Sequence, residues 1–163
     1  MNKLDDLSCK EFLTELASAA PAPGGGGGAA MAGALAAALA SMVANMTIGK
    51  EKFADREPEV KELLEQAEAE RVRLLTLVDE DAAVFNSFMS CYKLPKTTDE
   101  EKAARAAAIR AAAKQAATVP LNIARSSFAV LKLAYRLVVS GNPGVITDGA
   151  CSGLLARAAL RCA

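Results

Sequence analysis

Histidine is absent from the 163 residues, which removes every mechanism built on imidazole: Ser-His-Asp and Cys-His nucleophiles, His-ligated zinc and His proton shuttles. Acid–base work therefore falls to carboxylates, Lys, Tyr, Cys or water. The four cysteines, Cys9, Cys91, Cys151 and Cys162, are scattered with no Cys-x-x-Cys pair, so neither a zinc knuckle nor a disulfide framework is signalled. With no signal-peptide pattern ahead of them, a reducing cytoplasm is the simplest compartment. Cysteine and carboxylate spacings match no ligand set, and no metal is expected. Net charge is absent too: 19 basic residues balance 19 acidic ones, and only Lys3, Lys10 and Lys50 precede Lys52. Without a basic stripe for phosphate-backbone binding, nucleic acid is not an expected partner. Trp is missing and Tyr occurs twice, which depletes the aromatic material that strands favour.

What is present is apolar and small. Hydrophobic residues make up 52% of the chain, ample for one core, and alanine, the best helix former, is abundant. The expectation is an all-α chain forming a single domain over residues 1–163, with an up-and-down-like bundle around one Ala/Gly-rich helix. Ser8 with Glu11 is a capping-box signature that opens a helix to about Ala19, stopped by Pro21 and Pro23. From Leu16 through Gly49 no residue is charged. That stretch divides into a loop, Pro21 to Gly28, and an apolar helix from about Ala29 to Ile48. The helix has membrane-span length. However, Ala and Gly dominate it, Asn45 interrupts it, and the other helices need a partner for their apolar stripes. It therefore reads as a central core helix, and no membrane is expected. Gly33 and Ala37 at four-residue spacing suit a tight bundle or a dimer seam.

Pro58 marks the first turn of a long helix to about Cys91, with Val60, Leu64, Ala67, Leu74, Val78, Phe85 and Met89 on one face. Of the acids Asp79, Glu80 and Asp81, only Asp81 points partly inward on this count; Asp79 turns a further quarter-turn away. Arg71 lies near the stripe's centre, where pairing with a buried acid is the favoured reading. A second capping box, Thr98 with Glu101, starts a helix of about forty residues that Pro120 kinks or breaks. Ser140 to Gly144 is a turn cluster, and Thr147 and Asp148 offer N-capping chemistry for a last helix from about Gly149.

Three groups carry candidate chemistry. The pentaglycine is either a flexible connector or a set of exposed N–H groups for a planar or anionic ligand. A dinucleotide fingerprint is weak there, because an amphipathic helix and two prolines stand where a strand belongs. Glu51 after Lys50 excludes a phosphate loop. Asn45, Thr47 and Lys50 cluster at the end of the apolar helix, where Lys50 is a dipole partner or the border of a pocket for an acidic tail. Asp148 at a helix start is a cap, or a carboxylate stabilised there to hold a cationic amidine-like group or the paired donors of an aminopyrimidine ring. Asp81, packed among apolar side chains, should have a raised pKa and exchange a proton near neutrality. Two carboxylates in unlike surroundings divide acid and base roles.

A chain of motifs then carries a resemblance: Pro21-Ala22-Pro23-Gly24-Gly25-Gly26, Val43 to Lys50, Asp79-Glu80-Asp81-Ala82-Ala83-Val84-Phe85, Tyr92-Lys93-Leu94-Pro95, Val119-Pro120-Leu121, and Gly141-Asn142-Pro143 before Ile146-Thr147-Asp148. In this order, across essentially the whole length, the sequence resembles the cyclodeaminase/cyclohydrolase family. The resemblance implies a dimeric all-helical fold with its active site in a cleft associated with the dimer, a tetrahydrofolate substrate, and no metal or redox cofactor. It implies either closure of 5-formimidoyltetrahydrofolate to 5,10-methenyltetrahydrofolate with loss of ammonia, placed first, or hydration of that cation to 10-formyltetrahydrofolate. A catalytically silent folate-binding or scaffold dimer is the reading of another class. On this view Asp148 holds the one-carbon unit or pterin and Asp81 relays a proton. Gly24, Gly25 and Gly26 line the folate-facing loop, Asn45 and Lys50 orient the ligand or meet its glutamate tail, and Asn142 and Thr147 contact substrate. The sequence departs from the family pattern where Gly27 replaces a usual Ser, and at Ala163, beyond which relatives usually carry a further helical segment.

Overall fold

The computed structural model describes residues 3–163, and every regular element among them is helical. A 3-10 turn at Leu4–Asp6 precedes α1 (Cys9–Leu16) and α2 (Gly25–Asn45). A second 3-10 turn, Glu51–Phe53, leads to α3 (Glu57–Cys91), followed by α4 (Asp99–Ala116), α5 (Thr118–Ser140), a 3-10 turn at Pro143–Val145 and α6 (Ile146–Cys162). Both expected capping boxes form, at Ser8 with Glu11 and Thr98 with Glu101. Pro58 sits in the first turn of α3. The predicted forty-residue helix breaks at Ala117, so Pro120 falls in the first turn of α5, where its missing N–H would have had no helical partner.

Two start positions differ from the sequence reading. The pentaglycine is not a loop: Gly24 is the N-cap and Gly25 to Gly28 form the first turn of α2, which then ends at Asn45 rather than Ile48. Glycine costs helix stability through backbone entropy, but here the Gly27 N–H gains a carboxylate partner from α3. At the other end of the chain, α6 begins at Ile146, so Thr147 and Asp148 lie inside its first turn and cap nothing. Asn142 takes the capping role one turn earlier, its Oδ1 accepting from the Gly144 N–H at 2.9 Å. Asp79 also departs from expectation: its Oδ1 accepts the Leu4 N–H at 2.6 Å and ties the first 3-10 turn to α3.

Helix α2 is the axis of an up-and-down arrangement. Helix α3 runs antiparallel to it, Leu74 beside Gly33 and Val78 with Asp81 beside Gly27. Helix α5 runs parallel to it, Ser127 beside Gly33 and Gly141 beside Val43, and α6 returns antiparallel, Gly149 beside Val43. The Ser152 Oγ reaches across to donate to the Ala36 carbonyl at 2.7 Å. Ala30, Ala36, Ala37, Ala40 and Ala44 are completely buried, so the small-residue spacing at Gly33 and Ala37 is consumed within the chain. One strip of α2 stays open, at Leu35, Met42 and Met46. Thr47 fastens the far end: its Oγ1 donates to the Val43 carbonyl and accepts the Asn142 N–H, while Asn142 Nδ2 donates to the Met46 carbonyl at 3.0 Å.

The apolar stripe of α3 is buried at Val60, Ala67, Leu74 and Val78 as expected, with Leu63 and Leu77 added. Phe85 and Met89 are exposed instead. The reason is length: Asp81 already faces the start of α2, so the ten residues from there to Cys91, about 15 Å of helix, overhang it. Helix α4 packs against this overhang with no residue of its own buried. It is held in its first half by Arg105, which donates to the Tyr92 carbonyl at 3.3 Å and lies over the Tyr92 ring.

A Cβ at position 33 would sit 3.1 Å from both Leu74 Cδ2 and Ser127 Oγ, tighter than packed side chains accept. Gly33→Val is expected to destabilise the fold by about 1–3 kcal/mol, a fall of roughly 2–4 °C in Tm for each kcal/mol. A circular dichroism melt indistinguishable from wild type would show that the helices do not approach this closely.

Candidate active site

Asp81 is where the sequence pattern and the fold converge. Helix α3 carries it to the N-terminus of α2, where its Oδ2 accepts the Gly27 N–H at 2.9 Å. Gly26 is required by this approach, because a Cβ there would land on the carboxylate. Burial pushes the Asp81 carboxyl above its ordinary value, and the Gly27 N–H offsets part of the rise. The departure at Gly27 matters here. A Cβ at that position would lie 3.4 Å from Pro23 Cβ and 3.8 Å from Asp81 Oδ2, so a serine fits. With glycine, Asp81 keeps a single N–H donor.

Beside Asp81 lies a hollow of about 340 Å³ lined by Val84, Phe85, Phe88, Ala113, Ala116 and Pro120. An apolar wall beside a partly desolvated carboxyl favours its protonated form more than water does, an arrangement suited to proton exchange. The pentaglycine itself is closed, since Asp81 fills its inner side, but Gly24 and Gly25 have nothing within 4 Å of a Cβ and remain open. A larger hollow, about 580 Å³, runs between α1, Pro21, Ala22, Ala82 and Asn86, with Glu11 and Glu15 on its rim.

The remaining predicted residues gather at the opposite end of α2. Asn142 is bonded to Thr47 and Met46, Asn45 and Lys50 are exposed nearby, and Thr147 and Asp148 occupy the first turn of α6, exposed and half-buried respectively. A Cβ on Gly149 would be 3.8 Å from Val43 Cγ2, which sets Asp148 beside Val43. Asp81 is beside Gly27. Sixteen residues of α2 separate the two, about 24 Å, so one chain does not bring both carboxylates to one substrate. Arg71 pairs as expected, but with the half-exposed Glu68 rather than a buried acid, Nε and Nη2 both donating to Oε2 at 3.0 and 2.7 Å. Arg71, and then Ser41, hold the Glu68 carboxyl below its usual range.

Sequence reading treated Phe85 as core and gave α4 no part in a site. A signal was present: Ile109 is the one large aliphatic side chain in α4, too little to fill the space against an aromatic overhang.

Comparison with known proteins adds an independent line. A sequence profile described as Formiminotransferase-cyclodeaminase matches residues 8–163. A methenyltetrahydrofolate cyclohydrolase from Methylorubrum extorquens is 49% identical over 93% of this chain and 73% of its own. A formimidoyltransferase-cyclodeaminase from Mus musculus is 37% identical over 88% of this chain but 26% of its own length; this chain corresponds to about a quarter of that protein. The crystal structure of a formiminotetrahydrofolate cyclodeaminase from Thermotoga maritima superposes with a TM-score of 0.86 at 32% identity, over 98% of this chain and 76% of that one.

The raised pKa of Asp81 makes a stability prediction. In the unfolded chain the group titrates near 3.8. The fold disfavours its ionised form, so stability is greatest below that pH and declines as pH rises through the higher folded value. Asp81→Asn retains an acceptor for Gly27 and escapes the decline. Its Tm should exceed wild type at neutral pH, with the gain vanishing below about pH 3.8. A neutral-pH Tm at or below wild type would show that the carboxylate is not desolvated.

Proposed function

The chain belongs to the formiminotransferase-cyclodeaminase family, and on that premise we propose that it is a folate one-carbon enzyme acting at 5,10-methenyltetrahydrofolate. That compound is the product of the cyclodeaminase reaction, in which 5-formimidoyltetrahydrofolate closes and ammonia leaves. It is also the substrate of the cyclohydrolase reaction, which adds water to give 10-formyltetrahydrofolate. The family resemblance favours the first, as does the similarity to a solved cyclodeaminase. The 49% identity to a cyclohydrolase favours the second and puts hydrolysis first in the order of testing.

Both reactions pass through a tetrahedral carbon between two nitrogens and turn on proton transfer. The observation that carries the reading is the Asp81 carboxyl, partly desolvated beside an apolar hollow in a chain that has no histidine. Asp81 relays the proton: protonated, it donates to the departing nitrogen; ionised, it takes a proton from attacking water. Asp148 holds the cationic one-carbon unit or the pterin, with Asn142 and Thr147 beside it. Asn45 and Lys50 orient the ligand or meet its carboxylate tail, and the open side of Gly24 and Gly25, with Gly26, lines the approach. No cofactor is required.

The same-chain separation of Asp81 and Asp148 supports a reading in which the site belongs to a homodimer and Asp148 is supplied by the neighbouring copy. The open strip of α2 supports self-association, with Leu35 52%, Met42 41% and Met46 40% exposed on a helix that bears no charge. Apolar surface of this kind marks interfaces.

A paired assay tests the reading, with methenyltetrahydrofolate followed by its absorbance and formimidoyltetrahydrofolate by ammonia release. At least one rate should stand well above the uncatalysed background; background rates in both, with reduced folate still bound, would leave a silent binding dimer. Asp81→Asn and Asp148→Asn should each lower turnover by about a hundredfold. Mixed and allowed to exchange subunits, the two variants should recover roughly a quarter of wild-type activity, because half the dimers pair unlike chains and each of those has one intact site of two. Failure to recover any activity despite demonstrated exchange would show that the two carboxylates do not share a site.

A further inference from the structure

We propose that the hollow between the overhanging end of α3 and helix α4 seats the substrate's flat, cationic ring system, with Phe85 and Phe88 as its walls and α4 as a movable cover. The proposal rests on the folate reading above and specifies where the ring lies. It begins from a packing anomaly. Phe85 is 38% exposed although it continues the apolar stripe of α3, and Phe88 beside it is only partly covered. Helix α4 passes in front of both, yet it offers them Ala113 and Ala116 and fills nothing. Large apolar groups left part-open beside a neighbouring helix mark a surface kept for another molecule.

The way α4 is held agrees with this. Its 18 residues include none that is buried. Its first half is tied by the Arg105 contact to Tyr92, and its last turn leads through the break at Ala117 to Pro120, which is itself part of the hollow. A helix that buries no side chain of its own can shift outward without disturbing the bundle. The hollow's volume, about 340 Å³, lies near the lower end of the roughly 300–1,000 Å³ of small-molecule sites, which suits a compact fused-ring system and not a peptide.

The chemistry of the lining selects the ligand. Aromatic faces carry negative quadrupoles that attract cations, and the Asp81 carboxylate at the floor has the same preference. One of its oxygens is held by the Gly27 N–H; the other accepts no hydrogen bond from the described residues. A neutral hydrocarbon would strand that carboxylate, and an anion would be repelled by it. A planar amidinium-type cation, its charge shared by two ring nitrogens as in a methenyl-bridged tetrahydropteridine, satisfies both the walls and the floor.

Ala113→Leu tests this from a position that is itself exposed, so the fold is retained while the hollow is filled. Its control is Ala111→Leu, on the same helix but outside the hollow. Two probes are measured on the intact chain: reduced folate, by equilibrium dialysis and by KM for the methenyl compound, and proflavine, a planar cationic dye, by fluorescence. Ala113→Leu should weaken reduced-folate binding and raise KM by about tenfold or more, with Tm unchanged and the control variant behaving as wild type. Phe88→Ala should weaken both probes, raising the Kd for proflavine and the KM for the methenyl compound by several-fold. If the wild type turns over folate and Ala113→Leu matches it within twofold, the ring lies elsewhere and the proposal falls while the functional reading stands. If the wild type neither binds nor turns over folate, the functional reading fails. Dye binding that Ala113→Leu abolishes would then still establish a planar-cation site, and dye binding insensitive to Ala113→Leu would overturn it.

Discussion

The structure depends on how little side chain its central helix carries. Alanine and glycine on the inner faces of α2 let α3, α5 and α6 approach its backbone, closely enough that Ser152 on one helix bonds a main-chain carbonyl on another. Such packing gains little per residue from hydrophobic transfer, but it also loses no side-chain rotamer freedom at the alanines. Dense contact over many small groups replaces a few large ones. The helix meets the compositional test for crossing a membrane, yet 61% of its apolar window is buried against the rest of the chain, which gives that apolarity a different destination.

A mismatch of lengths then creates the hollow beside Asp81. Helix α3 has 35 residues and α2 has 21, so the stripe that buries the first part of α3 runs out of partner, and Asp81 stands at that boundary. On one side it meets the positive end of a helix, which favours a carboxylate; on the other it meets apolar rings, which disfavour one. Burial is the stronger influence.

Much of this was legible in the residues. Two capping boxes, the first-turn proline of α3, the break ahead of Pro120 and the inward tilt of Asp81 all rest on local rules of spacing and backbone geometry, and all are present. The errors share one cause. The pentaglycine looked like a loop because glycine is a poor helix former, and its partner Asp81 lies 54 positions away. Thr147 and Asp148 looked like caps, but Asn142 is pinned by Met46 and Thr47 from α2, and the chain enters α6 early. Asp79 looked solvent-facing until the first turn folded over it. Helical periodicity gives the face a residue occupies and says nothing of where along a neighbouring axis it lands. For that reason Asp81 and Asp148 stand out from their local sequence, while the sixteen residues of α2 that lie between their levels do not.

The absence of any buried residue in α4 bears on how such a chain diversifies. Most positions that touch a substrate also support the fold, and selection for a new preference is then limited by the stability lost along the way. Here one wall of the hollow belongs to a helix with no buried residue of its own. A change of size at Ala113 or Ala116 would reshape that wall and leave the bundle beneath it the same.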